Sequence, residues 1–374
     1  MAVTSRSVAP APQVAAAGEA WFAGLRARGV LEQVDLRAEP ERLTTPGLWV
    51  VVGEFEGRVR AWRFAEVDRD PGPVIPRPGP WAGPSADAWA SSMTRDAYED
   101  AVRQVRAEVR RGGVYQANVC RVLAAPLPPG ADGPPDARAL AAVLEAGNPA
   151  PYAGGVSVPA GPGIEPAWVV SASPELFLRV DGDVVTSAPI KGTAATVDGL
   201  LAKDRAENVM ITDLVRNDLQ RVCLPGTVEV TSLLAVEEHP GLVHLVSTVQ
   251  GALTPDVVGG ARLWSTLLDA TYPPGSVSGA PKSAALRVIG ALERAPRGPY
   301  CGAFGWVDVA PDGAVRAELA VGIRTFWWEP DPGVGGVLRF GTGAGITWGS
   351  DPAAEWVETE LKARRLVGLA SRPH

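Results

Sequence analysis

An α+β fold built from antiparallel strands is what the sequence predicts, and three observations carry the prediction. Strand-like runs come in meandering groups. Single amphipathic helices separate those groups. No early strand–helix–strand series supplies the crossovers that a regular parallel sheet needs. The order along the chain follows from local signals. Residues 48–66, "LWVVVGEFEGRVRAWRFAE", alternate and turn as a hairpin, and the connector after them, "DRDPGPVIPRPGPWAGPSADA", is rich in proline and glycine and marks a loop or boundary. Residues 94–112 form an amphipathic helix, with Thr94 as N-cap and Gly112 and Gly113 as its stop.

A strand is expected for "VYQANVCRVLAAPL", then a helix for "DARALAAVLEAG", then strands at 167–171, 175–180 and 183–187 with a turn at Asp181-Gly182. The second half opens with the helix "LLAKDRAENVMITDLVRNDL" and continues with strands near 227–233 and 243–251. A helix at about 260–269, a Gly/Ser/Pro loop at 273–281 and a helix at 282–293 come next. Strands at 301–309, 314–325 and 336–341 and a last helix from 352 to about 369 complete the chain. Asp351 caps that last helix and Pro352 occupies its first position, which fixes its register.

Bulk properties exclude several function classes. A net charge of -7 with no basic run argues against a nucleic-acid surface. No apolar stretch approaches the roughly 20 residues that span a bilayer. The Ala/Pro-rich residues 1–18 lack a basic start and an apolar core, so a disordered lead-in is expected and a signal peptide is not. Cys120, Cys223 and Cys301 are scattered and odd in number, which suits a reducing cytoplasm. With three histidines, a His/Cys zinc site is not expected. The expected organisation is a short subdomain over 19–90 and a main domain over 91–370.

Lysine usage draws attention to one segment. Of 35 Lys plus Arg, four are lysines: Lys191, Lys203, Lys282 and Lys362. Arginine stays protonated in proteins, whereas a buried lysine can be neutral and act as a nucleophile. Two helices carry acids at i, i+3 spacing: Asp204 with Glu207, and Glu355 with Glu358, Lys362 lying one turn beyond. Facing each other, they would present four carboxylates to one hard cation such as magnesium; apart, they are solvated faces. The segment "FGTGAGITWGSD" runs from a strand towards a helix, and is either a tight turn or a set of backbone N–H groups for an anion. Arg324, on a mostly apolar strand, requires a carboxylate partner from the protein or from a ligand. His244 on its own strand reads as a core residue, and Glu175, read alone, carries no signal.

Taken together, "SPELF", "PIKGT", "KDRAENVMITDLVRNDL", "HLVSTVQG", "TYPPGSVSGAPK", "YCGAFG", "IRT", "GTGAGITWGSDP" and "EWVETELKA" resemble, in order, the motifs of the chorismate-utilising enzymes over residues 93–368. The resemblance implies two antiparallel sheets packed face to face with helices outside, and a site for chorismate and Mg2+. It implies Glu207 and Glu358 as the main metal acids, with Asp204 and Glu355 supporting. Arg324, Tyr300 and the Gly345 backbone would receive the enolpyruvyl carboxylate, and Lys362 would lie near the ring carboxylate. His244 and Thr271 would line the C2–C4 edge, with Gln116, Thr193 and Gly343 also at the substrate.

Within the family, "PIKGT" is the aminodeoxychorismate synthase form, since anthranilate synthases usually carry alanine in the lysine's place. The lysine that activates water in salicylate and isochorismate synthases is replaced here by Gln116. The implied reaction is amination of chorismate at C4, with Lys191 as nucleophile and Glu175 as acid, for 4-aminobenzoate and folate or a related secondary metabolite. No cysteine lies in a Gly-x-Cys-x-Gly elbow, so ammonia is expected from a separate glutamine amidotransferase subunit. The alternatives are an anthranilate synthase large component and a non-catalytic chorismate-binding regulatory subunit. Two departures stand out: Ala194, Ala195 and Thr196 follow "PIKGT" where arginines are frequent, and Gln220 replaces a glycine.

Overall fold

Strand pairing is antiparallel throughout the computed structural model, which describes residues 15–70, 79–130, 133–194, 196–239 and 242–372. The first strands are β1 (Ala16–Phe22), β2 (Leu25–Asp35), β3 (Gly47–Gly53), β4 (Val59–Asp68), β5 (Ala90–Ser91) and β6 (Gln116–Pro126). The middle ones are β7 (Tyr152–Val158), β8 (Ala167–Ser173), β9 (Leu176–Asp181), β10 (Val184–Ala188), β11 (Ile190–Ala194) and β12 (Glu229–His239). The last are β13 (Leu242–Ala252), β14 (Gly279–Ala280), β15 (Ala303–Val309), β16 (Val315–Val321), β17 (Thr325–Glu329) and β18 (Val337–Ile346). The helices are α1 (Arg95–Arg110), α2 (Ala137–Gly147), α3 (Ala202–Gln220), α4 (Leu263–Thr271), α5 (Lys282–Leu292) and α6 (Pro352–Ala370). No helix among the described residues is long and apolar enough to cross a membrane.

Among the described residues, hydrogen bonding joins the 18 strands into one ladder. One half runs β12–β13–β10–β9–β16–β15–β3–β4–β2. The other runs β1–β7–β8–β17–β18–β6, joined to the first by the β1–β2 pair. The ladder folds back on itself, because Val156, Val158 and Val169 of the second half share a core with Leu178, Val180 and Phe304 of the first. The two expected sheets are thus halves of a continuous one. Beneath the outer face of the second half, Leu140 and Leu144 of α2 and Leu366 of α6 pack on Trp168, Val170 and Phe340. Alternation assigns Val169 to the inner face and Val170 to the outer, as a strand buried on both sides requires.

The helix ends agree with their signals. The Thr94 side chain accepts from the Ala97 N–H at 3.3 Å, and Asp351 from the Ala354 N–H at 2.9 Å; each cap is worth about 1 kcal/mol.

Four expectations are corrected. The boundary near residue 90 falls inside the sheet, since β1 pairs with β7 and β3 with β15. Residues 1–14 of the expected lead-in lie outside the described residues, and β1 begins within its remainder. The strand expected over 314–325 is two strands: β16 pairs with β9 and β15, while β17 pairs with β8 and β18, so Gly322–Arg324 carries the chain between the halves. Arg324 lies in that link at φ 52°, in the left-handed region. Finally, Gly343 and Gly345 are not loop residues: the strand expected to end at 341 continues, and β18 pairs with β6 through Ile346.

Candidate active site

The short strand β11 presents Lys191. Its geometry depends on Gly192, at φ +88°, where an added Cβ would lie 2.8 Å from Asp204 Cβ. Only glycine tolerates that backbone conformation and that approach to the first turn of α3. The Asn208 side chain, fully buried on α3, locks the same junction. Its amide donates to the Leu245 carbonyl at 2.9 Å and reaches the Lys191 carbonyl at 3.5 Å, and its oxygen accepts from Ser247 at 2.5 Å. Lys191 Nζ then stands 3.3 Å from Glu207 Oε1. That oxygen also accepts from Gln116 Nε2 at 2.7 Å.

Three glycines of β18 floor the site for steric reasons. A Cβ at Gly345 would lie 2.0 Å from Gln116 Nε2, 2.9 Å from Glu207 Oε1 and 3.0 Å from Asn118 Oδ1. At Gly343 it would meet Cys120 Sγ at 2.4 Å, and at Gly341 the Tyr300 ring at 2.0 Å. All three glycines face residues of one surface because alternate strand positions share a face.

Glu175 is 3% exposed, and burial pushes its carboxyl up to about 7, against hydrogen bonds from Ser276 and the Ile190 N–H and the nearby Lys191 charge. It lines a 20 Å³ cavity with Ser187, Asp218, Thr271 and Ser276. Thr271 spends its hydroxyl on the Leu267 carbonyl at 2.7 Å.

The α6 acids face this cluster. Lys362 Nζ donates to Glu358 Oε1 at 2.6 Å and to the Gly343 carbonyl at 3.1 Å. Burial raises Glu358, but Lys362, Lys203 and Lys191 together hold it below the usual carboxylate range. Burial and the Glu358 charge raise Glu355, opposed by a Ser350 hydrogen bond. Asp204 accepts from the Leu201 N–H at 2.8 Å. Among the described residues no three His, Cys, Asp or Glu side chains converge as a preformed cage. The donor chemistry nevertheless fits a hard cation. The groups are oxygen donors on α3 and α6, and Gln116 Oε1 and Asn118 Oδ1 are buried with no hydrogen-bond partner among the described residues.

Arg324 makes no ion pair among the described residues, and burial alone lowers its pKa. The turn that carries Tyr300 interlocks with its link, Cys301 donating to the Gly322 carbonyl at 2.9 Å. Tyr300 Oη lies 3.9 Å from Cys120 Sγ. His244 is buried on β13, opposite Thr193 on one side and Glu237 on the other. The side chain of Thr193 lies outside the described residues.

The structure therefore gathers Lys191, Glu207, Gln116 and Gly345 at one point and Glu358, Lys362 and Gly343 at a second, with Glu175 within the field of Lys191. Sequence reasoning missed Asn208, Asn118 and Ser276. The signal for Asn208 was its phase: it shares the buried face of α3 with Ile211, Val215 and Leu219.

Comparison with known proteins agrees with this geometry. The family described as chorismate binding enzyme matches residues 63–368. Anthranilate synthase component 1 1 of Halobacterium salinarum is 38% identical over 297 residues, 74% of this chain and 51% of its own. Anthranilate synthase component 1 of Thermus thermophilus is 37% identical over 308 residues, 79% of this chain and 61% of its own. Aminodeoxychorismate synthase component 1 of Salmonella typhimurium is 34% identical over 292 residues, 75% of this chain and 59% of its own. The chain spans about half the length of the first two curated relatives it matches. Among solved structures, anthranilate synthase component I from Streptococcus pneumoniae superposes with a TM-score of 0.70 at 21% identity, covering 98% of this chain and 95% of that one. The menaquinone-specific isochorismate synthase of Escherichia coli gives 0.71 at 18%, covering 96% and 89%. At such identity these two establish the fold alone.

Proposed function

The chain belongs to the chorismate binding enzyme family, and on that premise we propose that it is the large component of an aminodeoxychorismate synthase. It would convert chorismate and ammonia to 4-amino-4-deoxychorismate. The observation that carries the reading is a buried Glu175, its carboxyl raised to about 7 by burial, within the field of Lys191, so that an acid able to hold a proton shares the site with an amine.

The chemistry follows from those two groups. Lys191 Nζ bonds to ring C2 as both ring double bonds shift, C1=C2 to C6=C1 and C5=C6 to C4=C5, and the C4–O bond breaks. The hydroxyl leaves as water with the Glu175 proton, assistance worth about 10²- to 10⁴-fold. Ammonia then bonds to C4 as the C2–Nζ bond breaks, and the new ammonium returns its proton to Glu175. The amine must be neutral to attack, and Glu207 Oε1, 3.3 Å away, is the nearest acceptor for its proton. Arg324, a half-buried cation with no ion-pair partner among the described residues, suits a substrate carboxylate. A magnesium ion held by Glu207 and Glu358, with Asp204 and Glu355 supporting, would neutralise a second carboxylate. Cys120, Cys223 and Cys301 are all buried, none is placed as an exposed nucleophile, and the ammonia would come from a glutamine amidotransferase partner.

A second reading, anthranilate synthase component I, is favoured by the names of most of the relatives, including those of Halobacterium salinarum and Thermus thermophilus. It requires amination at C2 and loss of pyruvate. One experiment separates the two: incubate the chain with chorismate, Mg2+ and ammonium, and record product mass and fluorescence. A non-fluorescent product that keeps the enolpyruvyl group and yields 4-aminobenzoate with an aminodeoxychorismate lyase supports the first reading. Fluorescent anthranilate with free pyruvate refutes it.

A further inference from the structure

Lys282 opens α5 at the end of the segment 272–281, and its Nζ donates to the Thr271 carbonyl at 2.6 Å and to Asp218 Oδ2 at 2.7 Å. Thr271 is the last residue of α4, and Asp218 lies on α3. One ammonium therefore ties three helices together and closes the two ends of the segment between residues 271 and 282. Both lysine and aspartate are largely buried, at 16% and 10% side-chain exposure. A buried ion pair seldom contributes more stability than an apolar replacement of similar volume, so stability alone does not account for this one.

The middle of that segment supplies the hydroxyl that reaches Glu175. Ser276 shares the cavity with Glu175 and acts to lower its carboxyl against burial, and its own carbonyl accepts from Asn118 Nδ2 at 3.1 Å. Asp218, Thr271, Ser276 and Glu175 all line the same 20 Å³ cavity. The groups facing Glu175 are Lys191 from β11 and Ser276 from the segment. Asp218 faces the cavity from α3, neutralised by Lys282 and in the field of Arg221.

We propose that Lys282 is a positioning residue: by clamping Thr271 and Asp218 it holds Ser276 against Glu175 and so sets where the acid stands and how readily it gives up its proton. Lys282 contacts neither reacting atom. This inference rests on the reading of Glu175 as the proton donor. A compact ammonium suits the role, because it points separate donors at two acceptors on different helices, whereas the flat arginine fork prefers a planar pair.

The test is the pH dependence of turnover with chorismate, Mg2+ and saturating ammonium. Activity that needs a protonated Glu175 falls as pH rises through its pKa. Losing the Ser276 donor destabilises the carboxylate, so the alkaline limb moves to higher pH. Ser276→Ala and Lys282→Met are each expected to move it up by about half to one pH unit and to lower kcat roughly tenfold. The double variant is expected to move no further, as members of one network are not additive. Lys282→Met/Asp218→Asn carries no unpaired buried charge, keeps the measurement possible if the single variant fails to fold, and is expected to show the same shift. A parental alkaline limb in both Lys282 variants, with Ser276→Ala shifted and Glu175→Gln inactive, overturns the positioning role and leaves the acid role standing. Full activity and a parental profile in Glu175→Gln overturns both.

Discussion

Lys191 Nζ and Glu207 Oε1 stand 3.3 Å apart, and the same oxygen accepts from Gln116 Nε2 at 2.7 Å. One carboxylate oxygen thus holds the candidate nucleophile by charge and the floor of the site by a hydrogen bond. Charge pairing and nucleophilicity can be separated here, since arginine keeps the first and lacks the second. Lys191→Arg is expected to fold with a Tm within a few degrees of the parent while product formation drops by on the order of 10³-fold or more. Intact-protein mass after quenching should also lose any adduct with the substrate. Substantial turnover by this variant would remove the covalent role from Lys191.

Glu175 couples catalysis to stability with opposite signs. Its folded-state pKa of about 7 exceeds the ordinary value of 4.5, so folding favours the protonated form. Its contribution to stability is fully present below about pH 4.5 and is lost as pH rises through about 7, a difference of at most about 3 kcal/mol. Glu175→Gln removes that titration. The variant should match the parent near pH 5, exceed its Tm by a few degrees at pH 8–9, and lose roughly 10²- to 10⁴-fold in turnover. Thermal melts across that range check the sign, and equal melting at pH 9 refutes the assignment.

The helices were legible from sequence because their ends are chemical: Thr94 and Asp351 make the cap bonds that their positions promise. Scarce lysine and acids paired at helical spacing singled out Lys191, Glu207, Glu358 and Lys362, which the structure joins in two ion pairs, whereas Glu175 gave no signal of its own. What escaped was backbone logic. Gly341, Gly343 and Gly345 carry no side chain to show a strand period, so the expected strand stopped at 341 and the second half of β18 read as a turn, although the bare positions are there to leave room for Tyr300, Cys120 and Gln116. Gly322–Arg324 hid a crossing between half-sheets, because apolar residues flank it on both sides. Asn208 was hidden for another reason: nothing in a helix sequence says that a buried amide will reach out to cap a neighbouring strand.

Gly345 offers a steric test of the site that involves no charge. An alanine methyl there would overlap Gln116 Nε2 at 2.0 Å and crowd Glu207 and Asn118. Gly345→Ala should fold, because the strand ladder with β6 is untouched, yet lower kcat/KM by about 10²-fold as the floor shifts by an ångström. Gly349→Ala, where an added Cβ meets nothing within 4 Å, is the matched control and should be nearly silent. Equal kinetics for the two variants would show that the β18 face does not bear on the reaction.

Arg324 makes the sharpest distinction between a structural and a ligand-binding charge. It sits at φ 52° in the link between β16 and β17, is half-buried, and has no carboxylate partner among the described residues. An unpaired buried cation costs stability, so a purely structural arginine there would be poorly placed, whereas one awaiting an anionic ligand is preorganised for it. Arg324→Met keeps most of the volume and the same backbone conformation while deleting the charge. It should leave the free protein as stable as the parent or up to about 1 kcal/mol more so. Loss of a desolvated charge pair with the ligand should weaken chorismate binding by about 2–4 kcal/mol, roughly 30- to 900-fold in Kd. Arg324→Lys should recover only part of that, because one ammonium cannot reproduce two parallel bonds to a carboxylate. Calorimetric titration with chorismate and thermal melts, run on the same samples, separate the cases: a destabilised Arg324→Met with unchanged Kd would make the residue structural.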